Sequence, residues 1–182
     1  MVHYTDEQLL ELIQESDNPD YGFNLLVRKH QEKLYWHIRR LVIDHEDSND
    51  ILQDVFVKVW KALDSFRGDS GLYTWLYRIA TNEALSFLKK KKLRFFLPWQ
   101  DVENVLMEKI ETDSGFTGNE IQRKLQKAII RLPEKQRVVF NLRYYDEMKY
   151  EEMSKVLDTS VGALKASYHH AVKKIEDYVK DA

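Results

Sequence analysis

The sequence predicts an all-α protein built from two small helical units. Three observations point there. Apolar residues recur at helical spacing along most of the chain. Only three prolines and six glycines interrupt 182 residues. Four of those glycines fall in two stretches, 65–71 and 98–118, where the helical periodicity lapses.

The elements follow in order. Thr5 with Gln8 fits a capping box that opens a first helix. Asn18-Pro19 fits the cap and first turn of a second, with Phe23, Leu26, Val27, His30, Leu34, Ile38 and Leu41 on its inner face. A third helix is expected from Asp47 or Ser48, with a stripe of Ile51, Leu52, Val55, Phe56, Val59, Trp60 and Leu63. The loop 65–71 separates it from a fourth helix over about 72–92. These four helices make a first domain, residues 1–97. Residues 98–118 read as an acidic linker with room for a short amphipathic piece around Val102–Ile110. A second domain, 119–182, resumes helical spacing at Ile121, Leu125, Ile129 and Leu132. Leu132-Pro133-Glu134 ends one helix and starts the next. Tyr150–Leu157, the three residues Asp158-Thr159-Ser160 and a helix over about 161–178 then form a helix-turn-helix.

The net charge of −2 hides a strong pattern. Residues 67–97 hold seven bases against two acids, residues 98–122 one base against six acids, and residues 123–182 thirteen bases against nine acids. Local field, not net charge, decides where a polyanion docks. The absence of cysteine excludes a disulfide framework and a thiolate metal site. No apolar run approaches the roughly 20 residues of a membrane span, and the early acids do not suit a signal peptide. A cytoplasmic protein is expected. Neither H-E-x-x-H nor G-x-S-x-G nor a Gly-rich phosphate loop occurs, so neither an enzyme nor a cofactor or small-molecule site is expected.

Three segments carry candidate function, each with a plainer reading. In the helix-turn-helix, Ser160 caps the last helix and Lys165, Ser167, His169 and His170 lie along its first turns, within reach of base edges. A helical hairpin with a solvated face is the alternative. Between Phe66 and Lys92, Arg67, Tyr73, Trp75, Tyr77, Arg78 and Asn82 precede four lysines, Lys89 to Lys92. Aromatic rings beside cations suit a single strand, while Trp75 and Tyr77 as core and the lysines as a solvated helix end serve equally well. Asp50, Gln53, Asp54 and Lys58 share one helix face beside Phe56 and Trp60. That face is either a docking surface or ordinary solvated polarity.

Taken together, the segments resemble the extracytoplasmic-function sigma factors over nearly the whole chain. Asp50-Ile51-Leu52-Gln53-Asp54-Val55-Phe56 with Trp60 resembles the polymerase-binding part of region 2. Leu63 to Ser70 followed by Tyr73-Thr74-Trp75-Leu76-Tyr77-Arg78-Ile79-Ala80 is similar to the −10 recognition and melting segment. Leu132-Pro133-Glu134, Tyr150-Glu151-Glu152 and Ser160-Val161-Gly162 are similar to region 4. The resemblance implies that the chain binds bacterial RNA polymerase core and promoter DNA, has no catalysis of its own and is controlled by an anti-sigma protein. It implies polymerase contacts at Asp50, Gln53, Asp54, Phe56 and Trp60. It implies −10 contacts at Phe66, Arg67, Ser70, Tyr73, Thr74, Trp75, Arg78, Asn82 and Lys89. It implies −35 contacts at Arg143, Ser160, Lys165, Ser167, His169, His170 and Lys173.

One departure stands out. Many members place Arg or Ser where this chain has Lys165, Ala166, Ser167 and His170, and lysine does not reproduce the guanidinium fork. Weak −35 base readout is therefore expected. Two other classes compete with the resemblance: a regulator using only its helix-turn-helix, and a helical scaffold without DNA contact. The first leaves the docking and melting segments unused, and the second leaves both basic regions idle.

Overall fold

The computed structural model describes residues 4–15, 17–94, 99–113 and 120–181. Among them every regular element is helical. Helices α1 (Asp6–Glu15), α2 (Pro19–Val42), α3 (His45–Ala62) and α4 (Leu72–Arg94) form the first group, with a 3-10 turn at Leu63–Ser65. Helix α5 (Trp99–Thr112) follows, and α6 (Glu120–Ile130), α7 (Glu134–Tyr144), α8 (Tyr150–Leu157) and α9 (Val161–Asp181) complete the chain.

The caps explain most of the boundaries. Gln8 N–H donates to Thr5 Oγ1 at 3.2 Å and Thr5 N–H to Gln8 Oε1 at 2.8 Å, which is the reciprocal box expected. Asn18 Oδ1 accepts from Tyr21 N–H at 3.2 Å, with Pro19 in the first turn of α2. Helix α3 begins earlier than the expected Asp47 or Ser48. Asp44 is its cap and accepts from Asp47 N–H at 2.9 Å, so Asp47 lies in the first turn, where a negative charge favours the helix. Gly22 sits inside α2 because α1 crosses it closely: a Cβ there would lie 2.9 Å from Ile13 Cγ1 and 3.0 Å from its backbone nitrogen.

Packing follows the expected stripes. Leu26, His30, Leu34, Ile38 and Leu41 of α2 are buried, as are Ile51, Val55 and Val59 of α3. Phe23, Val27, Leu52 and Phe56 are half-buried, and Trp60 keeps 40% of its surface. His30 is buried because Asp6 answers it at 3.0 Å; this hydrogen bond, helped by Lys29 and opposed by partial burial, holds the Asp6 carboxyl down at about 2.

Two features bear on how the halves are joined. Residues 99–112, expected as linker, form a helix whose Leu106 and Ile110 are buried against Ile43 and Ile130. Lys109 pairs with Asp44 and Lys127 with Glu111, fastening α5 on both sides. Two buried apolar positions spaced i, i+4, with matching partners, order the short amphipathic piece expected around 102–110 and the turns beside it. In addition, one apolar cluster runs from α1–α4 into Val138, Val139, Leu142, Met153, Val156 and Leu164. A smaller second cluster, including Ile129, Phe140 and Ile175, lies wholly within α6–α9.

Candidate docking and nucleic-acid interfaces

On α3, Asp50, Gln53 and Asp54 are exposed on one face. Lys58, further along it, is tied to Glu83 of α4 at 2.5 Å. The adjoining apolar surface is a small aromatic shelf. The Phe23 ring lies 4.8 Å from Trp60 and 6.4 Å from Phe56, both edge-on, with Val57 exposed beside them. A polar row beside a partly exposed aromatic shelf suits a protein partner.

The loop 66–71 and α4 hold the second candidate set. Arg67, Arg78, Asn82 and Lys89 are exposed. Ser70 and Tyr73 are half-buried. Trp75 packs on Phe66 with ring centroids 4.8 Å apart, and Tyr73 on Tyr77 at 4.5 Å. Thr74 is 4% exposed and points into the core. Tyr77, left open between core and base stacking by the sequence, is 1% exposed and belongs to the core. Burial, and then the nearby Asp146 charge, push its hydroxyl far above the usual phenol range.

The third set divides between two faces of α9. Ser160 Oγ accepts from Ala163 N–H at 3.3 Å and caps the helix as expected. Lys165, His169 and Lys173 are exposed and follow one another at i, i+4 and i+8. Ser167 and His170 lie on the side that faces α4 and α7, lining two clefts there. The His169 and His170 rings diverge, with centroids 6.0 Å apart. Arg143 sits behind this surface: its Nη1 donates to Met148 O at 3.1 Å and its guanidinium lies over the Tyr150 ring at 5.2 Å. It braces the turn between α7 and α8. The Lys165 ammonium shares that ring, 5.8 Å from its centroid.

The two DNA-type surfaces are brought together rather than displayed separately. Helix α4 packs against α8, and α2 against α7. Arg78 and Asn82 line a cleft of about 620 Å³ whose far wall includes Thr159 and Ser167. Lys155 of α8 reaches the backbone oxygen of Asp69 in the loop at 3.4 Å. Between these contacts lies a polar cluster that the sequence reading missed. Asp146, in the turn after α7, accepts from His37 Nδ1 at 3.1 Å, from the Tyr77 hydroxyl at 3.2 Å and from Arg40 Nη1 at 3.3 Å. His37 Nε2 lies 2.8 Å from Thr81 Oγ1. The available signal was its position: His37 falls three residues after Leu34 and four before Leu41, on the buried face of α2.

The chain's likenesses agree with this division. Residues 26–94 match the sigma-70 region 2 family and residues 122–175 the sigma-70 region 4 family. The ECF RNA polymerase sigma-E factor of Escherichia coli is 34% identical, over 97% of this chain and 95% of its own. The RNA polymerase sigma-H factor of Pseudomonas aeruginosa is 33% identical, over 94% and 92%. Among solved structures, CnrH in complex with the cytosolic domain of CnrY has a similar fold, with a TM-score of 0.70 at 24% identity over 97% of both chains. So does the sigma factor RpoE in complex with the anti-sigma factor NepR from Bartonella quintana, at 0.67 and 20% over 87% and 96%.

Proposed function

Because the chain belongs to the extracytoplasmic-function sigma factors, which direct RNA polymerase core to promoters, we propose a division of that work among its surfaces. Asp50, Gln53 and Asp54 with the Phe56–Trp60 shelf dock on the polymerase. The loop 66–71 and α4 take the −10 element, with Ser70 and Asn82 offering hydrogen bonds to an extruded base and Tyr73 or Trp75 a wall of its pocket. Residues 1–97 and 119–182 act as two domains. Helix α9 reads the −35 element in the major groove: its capped N-terminus meets a phosphate, Lys165 faces bases, and Lys173 holds the backbone.

The observation that carries this reading is the clustering of region 2 and region 4 matches, in that order, on the two helix groups that hold the exposed basic and polar faces. The protein acts by binding and positioning, without chemistry of its own, in the compartment where the polymerase works. Among the described residues no helix is long and apolar enough to cross a membrane. An anti-sigma protein is the expected regulator, because one of the two similar folds named above was solved in complex with an anti-sigma factor and the other in complex with the cytosolic domain of CnrY.

Run-off transcription with purified core polymerase tests the reading. Specific initiation should appear on cognate promoters when this chain is added to core alone. Binding to promoter DNA without initiation would instead favour a helix-turn-helix regulator.

A further inference from the structure

We propose that Asp146 is a latch: its carboxylate, held at once by His37, Arg40 and Tyr77, keeps the C-terminal helices over the −10 surface of α4, and its release uncovers that surface. The proposal rests on the reading of α4 as the −10 surface, and the experiment below separates the two.

The geometry assigns this role to one group. Asp146 lies in the turn between α7 and α8, while its three donors come from α2 and α4 in the other half. Its side chain is 6% exposed and that of His37 0%, so the charge is satisfied by these donors rather than by water. Each donor is itself held. Thr81 stands at the other nitrogen of His37, Tyr77 packs on His37 with ring centroids 4.9 Å apart, and the Arg40 guanidinium lies 4.4 Å over the Tyr145 ring. The neighbouring Glu147 has the same charge on the same turn but is exposed.

The apolar contact of Val138, Val139, Met153 and Val156 with the first half supplies area, yet area alone is indifferent to small slides. A buried carboxylate with three donors is satisfied in one arrangement only, and losing a partner leaves an uncompensated polar group. Once the halves part, Asp146, Arg40 and His37 all reach water, so the open form carries no such penalty. The closed form therefore depends on a single side chain far more than its contact area implies. Position matters too, because the turn bearing Asp146 leads directly into α8, the helix lying against α4 and touching the loop through Lys155.

The absence of cysteine makes the test direct. Cysteines introduced at the exposed positions Glu46 and Glu176 accept spin labels, and pulsed EPR reads their separation in the free full-length chain. Asp146→Asn should raise the ratio of long to short distances by at least about tenfold, the scale of a hydrogen bond to a charged group. Glu147→Gln should leave the distribution unchanged. Equal opening by both variants would mean that net charge, not the latch, sets the equilibrium, and would overturn the proposal. So would an unchanged distribution in a folded Asp146→Asn chain. If Asp146→Asn loses its helical circular dichroism, Tyr77→Phe and Arg40→Gln carry the same test with smaller openings, and no opening in either overturns it. Binding of a single-stranded −10 oligonucleotide to the opened variant is read separately. Opening without gain in strand binding would leave the latch standing and remove the −10 assignment of α4.

Discussion

Helices α3 and α4 pack against each other, yet the faces proposed to work on each differ in access. Asp50, Gln53 and Asp54 point to solvent, and the Trp60 shelf beside them is open. Arg78 and Asn82, one helix away, look across a cleft at Thr159 and Ser167, and the loop before them is touched by Lys155. Both faces are polar, so composition does not separate them. The difference lies in what the distant half of the chain covers. A protein partner can reach the α3 face of the chain as it stands. Under the proposed latch, a nucleic acid reaches the cleft side of the α4 face fully only after α8 moves.

The largest expected effect breaks or confirms the open side of this comparison. Gln53→Ala should weaken core polymerase binding by about 2 kcal/mol or more, roughly thirtyfold, the usual scale for a central interface residue. Its exposure means that the fold should survive, with circular dichroism unchanged. Asp50→Ala and Asp54→Ala should each have smaller effects. If fluorescence titration against core gives unaltered affinity for all three variants, α3 is not the docking face.

The covered side is addressed by Asn82→Ala. Loss of one hydrogen bond to an extruded base should slow open-complex formation on duplex promoter by roughly tenfold. It should also relax preference at one −10 position. On a template whose −10 region is already a mismatched bubble, transcription should be nearly restored. An equal defect on duplex and bubble would place Asn82 outside the melting step.

The contrast also marks where sequence reasoning works and where it stops. Thr5 with Gln8 and Asn18 with Pro19 are local rules, and the structure obeys them to the hydrogen bond. The α3 stripe is local periodicity, and it sorts buried Val55 and Val59 correctly from exposed Gln53 and Asp54. The start of α3 was misplaced because Asp44 and Asp47 are both good caps, and only the fold chooses between them. Helix α5 is legible in the sequence only as a short amphipathic piece around 102–110, and its docking is not, because its partners, Ile43 and Ile130, lie far away in sequence. For the same reason the reading could not see that Asp146 meets His37 across 109 positions. Contacts between halves have no local signature.

The finest test lies on α9, where the two faces of one helix repeat the comparison at smaller scale. Lys165 and Lys173 are both exposed cations on the same row, two turns apart. The first turns lie nearest the bases in a helix-turn-helix, so Lys165 should contribute discrimination and Lys173 only attraction. Lys165→Ala should therefore change affinity at particular −35 bases by about 1 kcal/mol, the low end for a base contact, since an ammonium is a point donor without the guanidinium fork. Its resting place near the Tyr150 ring is weak enough to leave for DNA. Lys173→Ala should weaken binding to every duplex alike and lower the slope of log affinity against log salt by about one unit. The measurement is holoenzyme-free binding of single-base −35 variants at several salt concentrations. A uniform loss across all variants for Lys165→Ala would make it a backbone contact. The reading of bases would then pass to Ser167 and His170, on the side of α9 that faces α4, and −35 recognition would itself require the two halves to part.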